Sequence, residues 1–296
     1  MRYTEQMLQA FTAPLSPTED SRAKNAINMI RSAIELNPEL SPLDYEVFLQ
    51  GSYANNTNVR TESDVDVCVM LKSSFFYDLP DGKHERDYGI TPGPITFQRY
   101  RELVKKALID KFGSCFVYDG NKSIKINENS YHVKADVVPT FQHRRYRTMG
   151  IGYIEGTRFY SKEGKVVTNY PKQHIENGTA KNNRTNYDYK KLVRIMKRIK
   201  NDMVDDEVID GDIISSFLVE CLVWNVPDST ITGYNSWTET VKQTIIYLYN
   251  EIKDDKHKGW GEVSELLYLF HSGRKWTDQD AKQWLKDAWN YLGYNK

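Results

Sequence analysis

The sequence predicts an α+β protein: a mixed β-sheet with long backing helices forms one lobe, and a C-terminal helical lobe follows it. Three observations carry this prediction. Short apolar runs with period-2 alternation are confined to the first half of the chain. Two long amphipathic helical patterns accompany those runs. From Tyr187 onward the apolar period is helical throughout. A stretch rich in Asn, Gly and Thr, Ile175 to Asn186, separates the two regimes. Residues 1–180 are therefore read as the sheet lobe and 181–296 as the helical lobe.

Each element has a local reason. Ser16-Pro17-Thr18-Glu19 is a capping box with Pro at the first helical position. The helix it opens runs to Leu36, with Ala26, Ile27, Ile30, Ala33 and Ile34 on one face, and Pro38 and Pro42 end it. Glu46 to Leu49 reads as a strand entering a Gly51-Ser52 turn. Val65, Val67 and Val69 alternate with Asp64, Asp66 and Cys68 and read as a second strand. Ser73 to Pro94, with its Pro, Gly and charges, reads as a long loop, and Ile95 to Phe112 as an amphipathic helix. Cys115 to Phe141 divides at Asp119-Gly120-Asn121 and at Asn127-Glu128-Asn129-Ser130 into further strands. A sheet of about five strands results. The helical lobe reads as Tyr187–Asn201, Ile213–Trp224, Trp237–Lys253, Glu262–His271 and Thr277–Leu292, the last opened by a Thr277/Asp280 capping pair.

Composition narrows the class of protein. The formal net charge is +0 over 296 residues, so no global field draws the chain to nucleic acid or to a membrane surface. No apolar run is long enough to span a bilayer, and Met1 to Gln6 lacks the apolar core of a signal peptide. Cys68, Cys115 and Cys221 are widely spaced and form no metal motif. Together these features point to the cytoplasm.

The chemistry lies in one constellation. In a strand, Asp64 and Asp66 project to the same face while the valines face the core. Two such carboxylates repel unless cations lie between them, and Mg²⁺ takes carboxylate and phosphate oxygens. The turn Gln50-Gly51-Ser52 precedes them, with eleven residues between Ser52 and Asp64. A glycine there lets backbone N–H groups approach a phosphate, and the serine hydroxyl adds a donor. Asp136 lies among the apolar residues of Tyr131–Pro139. A charge in that setting calls for a partner, and a metal shared with Asp64 and Asp66 suits it better than a salt bridge to Lys134. Lys181 to Lys200 is a basic stretch, and His143-Arg144-Arg145-Tyr146-Arg147 is a second basic cluster. The latter is read equally as acceptor contact or as plain surface. His174 reads as a structural histidine. Asn182 and Asn183 carry amides able to read a base edge.

On these residues the chain resembles the nucleotidyltransferase superfamily that includes DNA polymerase β. Within it, the chain most resembles the cGAS/DncV-like nucleotidyltransferases (CD-NTases) of bacterial CBASS anti-phage systems. The resemblance implies a polymerase β-like palm carrying Asp64, Asp66 and Asp136 as catalytic and metal-holding residues. It places Gln50, Gly51 and Ser52 on the nucleotide, Lys197 on the donor triphosphate, Ser216 (with Ser215 in reserve) on phosphate, and Phe217 stacked on the donor base. Two Mg²⁺ ions are implied, with Mn²⁺ as a substitute. The implied substrates are ATP, with UTP or GTP. The implied product is a cyclic di- or oligonucleotide acting on a separate effector, made by a monomer with no membrane and no long nucleic acid. Two alternatives stay open: a linear transferase that tails RNA or modifies protein, and a non-catalytic nucleotide-binding regulator.

Overall fold

The computed structural model describes residues 2–14, 16–59, 64–128, 134–147 and 152–295. In chain order the elements are α1 (Glu5–Phe11), α2 (Pro17–Leu36), β1 (Tyr45–Leu49), α3 (Gly51–Asn55), β2 (Val65–Asp78), α4 (Phe97–Phe112), β3 (Val117–Asp119) and β4 (Ile124–Ile126). They continue as β5 (Ala135–Tyr146), β6 (Tyr153–Tyr160), β7 (Val166–Asn169), α5 (Pro171–Arg184), α6 (Asp188–Asp205), α7 (Ser216–Trp224), α8 (Asp228–Thr232), α9 (Trp237–Lys253) and α10 (Asp278–Leu292). Two compact units emerge. The sheet unit comprises Ser16–Ala54 and Arg60–Pro171, and the helical unit comprises Met1–Leu15, Asn55–Val59 and Lys172–Lys296.

The sheet unit holds a seven-stranded mixed sheet in the order β1-β2-β5-β4-β3, with β6 on the second half of β5 and β7 outside β6. β2 and β5 run parallel, and the remaining pairs are antiparallel. Val65, Val67, Val69 and Leu71 of β2 join Ala135, Val137 and Phe141 of β5 in one core. Its other wall is Ala26, Ile30 and Ile34 of α2 with Leu103, Val104 and Leu108 of α4. Apolar burial on this scale contributes about 25 cal/mol per Å² removed from water. The capping box forms as expected: Ser16 N–H donates to Glu19 Oε2 at 2.9 Å, and Glu19 N–H donates to Ser16 Oγ at 3.4 Å.

Two expectations change here. β2 does not stop before Ser73, because the register shifts between Leu71 and Phe75 and the strand resumes beyond the irregularity. Phe76 then packs on Phe97 and Phe141, with ring centroids at 6.3 and 5.3 Å. The sheet also gains β6, whose Gly, Glu, Arg and Thr content hides its pairing with β5, and the four-residue β7, which pairs with β6. The expected strand from Tyr131 is described only from Ala135, since 131–133 lie outside the described residues.

The helical unit packs α6, α7, α9 and α10 around Leu192, Ile195, Met196, Leu218, Leu222, Val241, Leu248, Trp284 and Leu285. The Thr277/Asp280 capping box is present. The stretch read as a linker is helical instead, as α5. Its weak helix formers are overridden by tertiary bonds: Lys181 Nζ donates to Trp224 O at 2.7 Å and Val226 O at 2.6 Å, at the C-terminal end of α7. Conversely, Glu262–His271 forms no helix. Glu262 N–H bonds Leu267 O at 2.9 Å and Leu269 N–H bonds Trp260 O at 2.9 Å, a looped-back path with Glu265 at φ 58°. Among the described residues no helix is long and apolar enough to cross a membrane.

Candidate active site

The strand register assembles the carboxylates. Asp66 of β2 lies directly opposite Asp136 of β5 in a parallel pair, and such strands lie about 4.8 Å apart. Asp64 precedes Asp66 by two residues and shares its side of the alternation, while Val65 and Val67 are fully buried on the other side. The turn is tied to the same strand, because Gln50 N–H donates to Asp66 O at 2.9 Å. Gly51 follows with φ +67°, and a Cβ placed on it would lie 2.3 Å from Asp66 Oδ2. A side chain there would force the turn or the Asp66 carboxylate to move, so glycine suits both the left-handed backbone and the close approach. Ser52 is the second residue of α3.

The charges repel, and the protein does not fully relieve them. Burial, then Asp136, then Asp64, push the Asp66 carboxyl up to about 7. Burial also lifts Asp136 above the ordinary carboxylate range, with Asp64 adding to it against the opposing pull of Lys125, Ser123 and Lys134. Lys134 pairs with Asp64 at 3.2 Å, and Lys125 of β4 stands opposite Asp136 in the register. Lys134 is thus the partner of Asp64, and Asp136 Oδ1 is buried without a hydrogen bond. Among the described residues no three His, Cys, Asp or Glu side chains converge as a ready-made metal cage. The donor set instead suits an ion shared with a second ligand such as phosphate: hard carboxylate oxygens, one of them orphaned, in a row whose negative charge two lysines only partly balance.

The helical unit supplies its candidates on α6 and α7. Ser215 is the N-cap of α7, its Oγ accepting from Leu218 N–H at 3.2 Å. Ser216 is the first helical residue and is partly exposed. Phe217 follows, with His174 and Trp276 rings at 5.9 and 6.1 Å and the Arg274 guanidinium 5.2 Å from its ring centre. Lys197 is 2% exposed, and its ammonium donates to Glu220 Oε2 at 2.5 Å and Thr57 Oγ1 at 3.1 Å. The ammonium expected on a donor phosphate is therefore engaged inside the helical unit.

Glu220 was not foreseen. A lone acid within Phe217-Leu218-Val219-Glu220-Cys221-Leu222-Val223 was the signal that could have marked it. It also accepts from Thr57 Oγ1 at 2.8 Å and lies 3.0 Å from His174 Nε2. Burial alone would raise its carboxyl, but Lys197 and His174 outweigh burial and hold it well below the usual range. His174 thus has the structural setting read for it. Asn182 of α5 accepts through Oδ1 from Lys190 N–H in the first turn of α6 at 3.1 Å, while Asn183 is exposed. Arg144 stacks on Phe75 at 3.6 Å and bonds Gln142 through Nε at 2.7 Å, whereas Arg145 and Arg147 are exposed.

Comparison with known proteins agrees with this architecture. Residues 176–293 match the cGAS/DncV-like nucleotidyltransferase C-terminal helical domain, and residues 30–112 match a nucleotidyltransferase domain. The chain is 46% identical to a cyclic dipyrimidine nucleotide synthase, CdnE, of Cecembia lonarensis, over 99% of both chains. Among solved structures it resembles the Rhodothermus marinus CdnE c-UMP-AMP synthase with Apcpp and Upnpp, at TM-score 0.86, 32% identity and coverage of 99% of this chain and 98% of that one. It also resembles the Elizabethkingia meningoseptica CdnE cyclic dinucleotide synthase with GTP and Apcpp, at TM-score 0.83, 35% identity and coverage of 99% and 100%.

Proposed function

The chain belongs to the cGAS/DncV-like nucleotidyltransferases, and on that premise we propose that it joins two NTPs into a cyclic dinucleotide containing at least one uridine. The observation that supports the nucleotidyl-transfer reading is the Asp66–Asp136 register beside a glycine whose added Cβ would meet Asp66 Oδ2. Similarity to a cyclic dipyrimidine synthase and to a c-UMP-AMP synthase supports the uridine.

The reaction is displacement at phosphorus. A ribose hydroxyl of one nucleotide attacks the α-phosphate of another, its O–H proton is lost, and the bond to pyrophosphate breaks. Repeating this on the linear intermediate closes the ring. Asp64, Asp66 and Asp136 would hold two Mg²⁺ ions, or Mn²⁺ in their place. When bound, the ions supply Lewis-acid stabilisation of the attacking and leaving oxygens. Asp136, whose basicity is raised by burial, would accept the hydroxyl proton. Gln50, Gly51 and Ser52 would receive the triphosphate on backbone and hydroxyl donors. On α7, Ser216 would add a hydroxyl and Phe217 a stacking face for the donor base. The product would act on a separate effector protein in anti-phage signalling.

The test is mass spectrometry of products from equimolar ATP, CTP, GTP and UTP with Mg²⁺, before and after phosphatase. A phosphatase-resistant cyclic dinucleotide containing uridine is expected, with no RNA primer required. A purine-only cyclic product would overturn the base assignment. Extension of an added RNA oligomer would favour the tailing alternative and overturn the cyclase reading.

A further inference from the structure

Four segments of the helical unit meet at one buried carboxylate. Glu220 is 4% exposed, and each of its oxygens is engaged. Oε2 takes Lys197 Nζ from α6 and Thr57 Oγ1 from the segment that leaves α3, and Oε1 takes His174 Nε2 from α5. Thr57 is itself fully buried and closes a triangle by accepting from Lys197 at 3.1 Å. Glu220 lies one helical turn beyond Ser216 and Phe217 on α7. His174 touches both ends of this arrangement, bonded to Glu220 and ring-packed on Phe217 at 5.9 Å.

We infer that Glu220 is a positioning residue for nucleotide binding: by bonding Lys197, Thr57 and His174 it fixes the first turn of α7, where Ser216 and Phe217 would meet the donor nucleotide. The inference rests on the nucleotide-binding reading of Ser216 and Phe217. Its physical basis is that a buried charge is tolerated only with every partner in place, which makes the geometry of those partners stiff. Release of one partner frees the helix start that the others hold.

The experiment uses the full chain with Mg²⁺ and a non-hydrolysable ATP analogue, read by calorimetry, alongside NTP kinetics and thermal melts. Glu220→Gln keeps the shape and removes the charge. Its analogue Kd and its KM should each rise by about 10-fold or more, with kcat changed less, because the binding lost is common to ground and transition states. Lys197→Met with Glu220→Met replaces the pair by apolar volume. The melting temperature should recover relative to Glu220→Gln. The analogue Kd should stay weak, because Thr57 and His174 remain untethered. Recovery of both together would overturn the inference, as would a Glu220→Gln protein that melts lower but binds the analogue within about 2-fold of wild type. Wild-type protein that fails to bind the analogue would overturn the function reading itself and this inference with it.

Discussion

Asp66→Asn is expected to lower product formation by roughly 10²–10⁴-fold while making the metal-free protein more stable at neutral pH. The activity loss follows from the role proposed for the carboxylate. Stabilisation of transition-state charge by a metal is worth several kcal/mol, and each 1.36 kcal/mol is tenfold in rate. The stability gain follows from repulsion. Asp66 faces Asp136 and follows Asp64, and burial holds its carboxyl up at about 7. In the unfolded chain it titrates near 3.9. Between about pH 4 and 7 the folded protein therefore binds more protons than the unfolded one, and stability falls as pH rises. The penalty is absent below that window and complete above it. Asn carries no charge at any pH, so the variant should show a flatter melting profile between pH 5 and pH 8 in EDTA. Added Mg²⁺ should raise the wild-type melt more than that of the variant. A variant that melts below wild type at pH 8 would show that the carboxylate supports the fold, and retained turnover would remove Asp66 from the chemistry.

The parts of the site legible in the sequence are those where chemistry and backbone period disagree. Asp64 and Asp66 break an otherwise apolar alternation, and Asp136 does the same on its own strand. Each is visible because a strand face normally carries uniform character. The parallel register that sets Asp66 beside Asp136 was not visible, since it depends on contacts distant in sequence. α2, α4 and α9 were legible because cap residues and apolar period agree locally. α5 was not, because Asn177, Gly178, Thr179 and Asn182 are weak helix formers and what holds them helical includes Lys181, bonded to carbonyls more than forty positions away. Glu262–His271 failed in the opposite sense. Its leucines imitate a helix period, but Glu262 is buried against Arg274, and the ion pair shapes a loop. Lys197 shows the same limit. Sequence places it on a basic helix, and only the fold shows its ammonium closed in by Glu220.

Gly51→Ala should lower turnover by about 100-fold or more with a modest loss of stability. Two effects act on this one position and can be separated. The φ of +67° makes any L-residue strained, at roughly 1–2 kcal/mol. A loss of that size shifts the melting temperature by only a few degrees in a chain this long. The second effect is steric: the new methyl would lie 2.3 Å from Asp66 Oδ2, so either the turn or the carboxylate must move. Displacing a reacting group by about 1 Å is enough for a 100-fold loss of rate. Gly82 and Gly89 provide the control, with φ +74° and +63° and nothing within 4 Å of a Cβ at either. Gly82→Ala and Gly89→Ala should carry the backbone strain alone, losing a little stability and keeping wild-type kcat/KM. If Gly51→Ala behaves like these two, the contact with Asp66 has no functional weight and the turn is only a bend in the chain. If it melts like them but turns over far more slowly, the close approach of Gly51 to Asp66 sets the geometry of the carboxylate row.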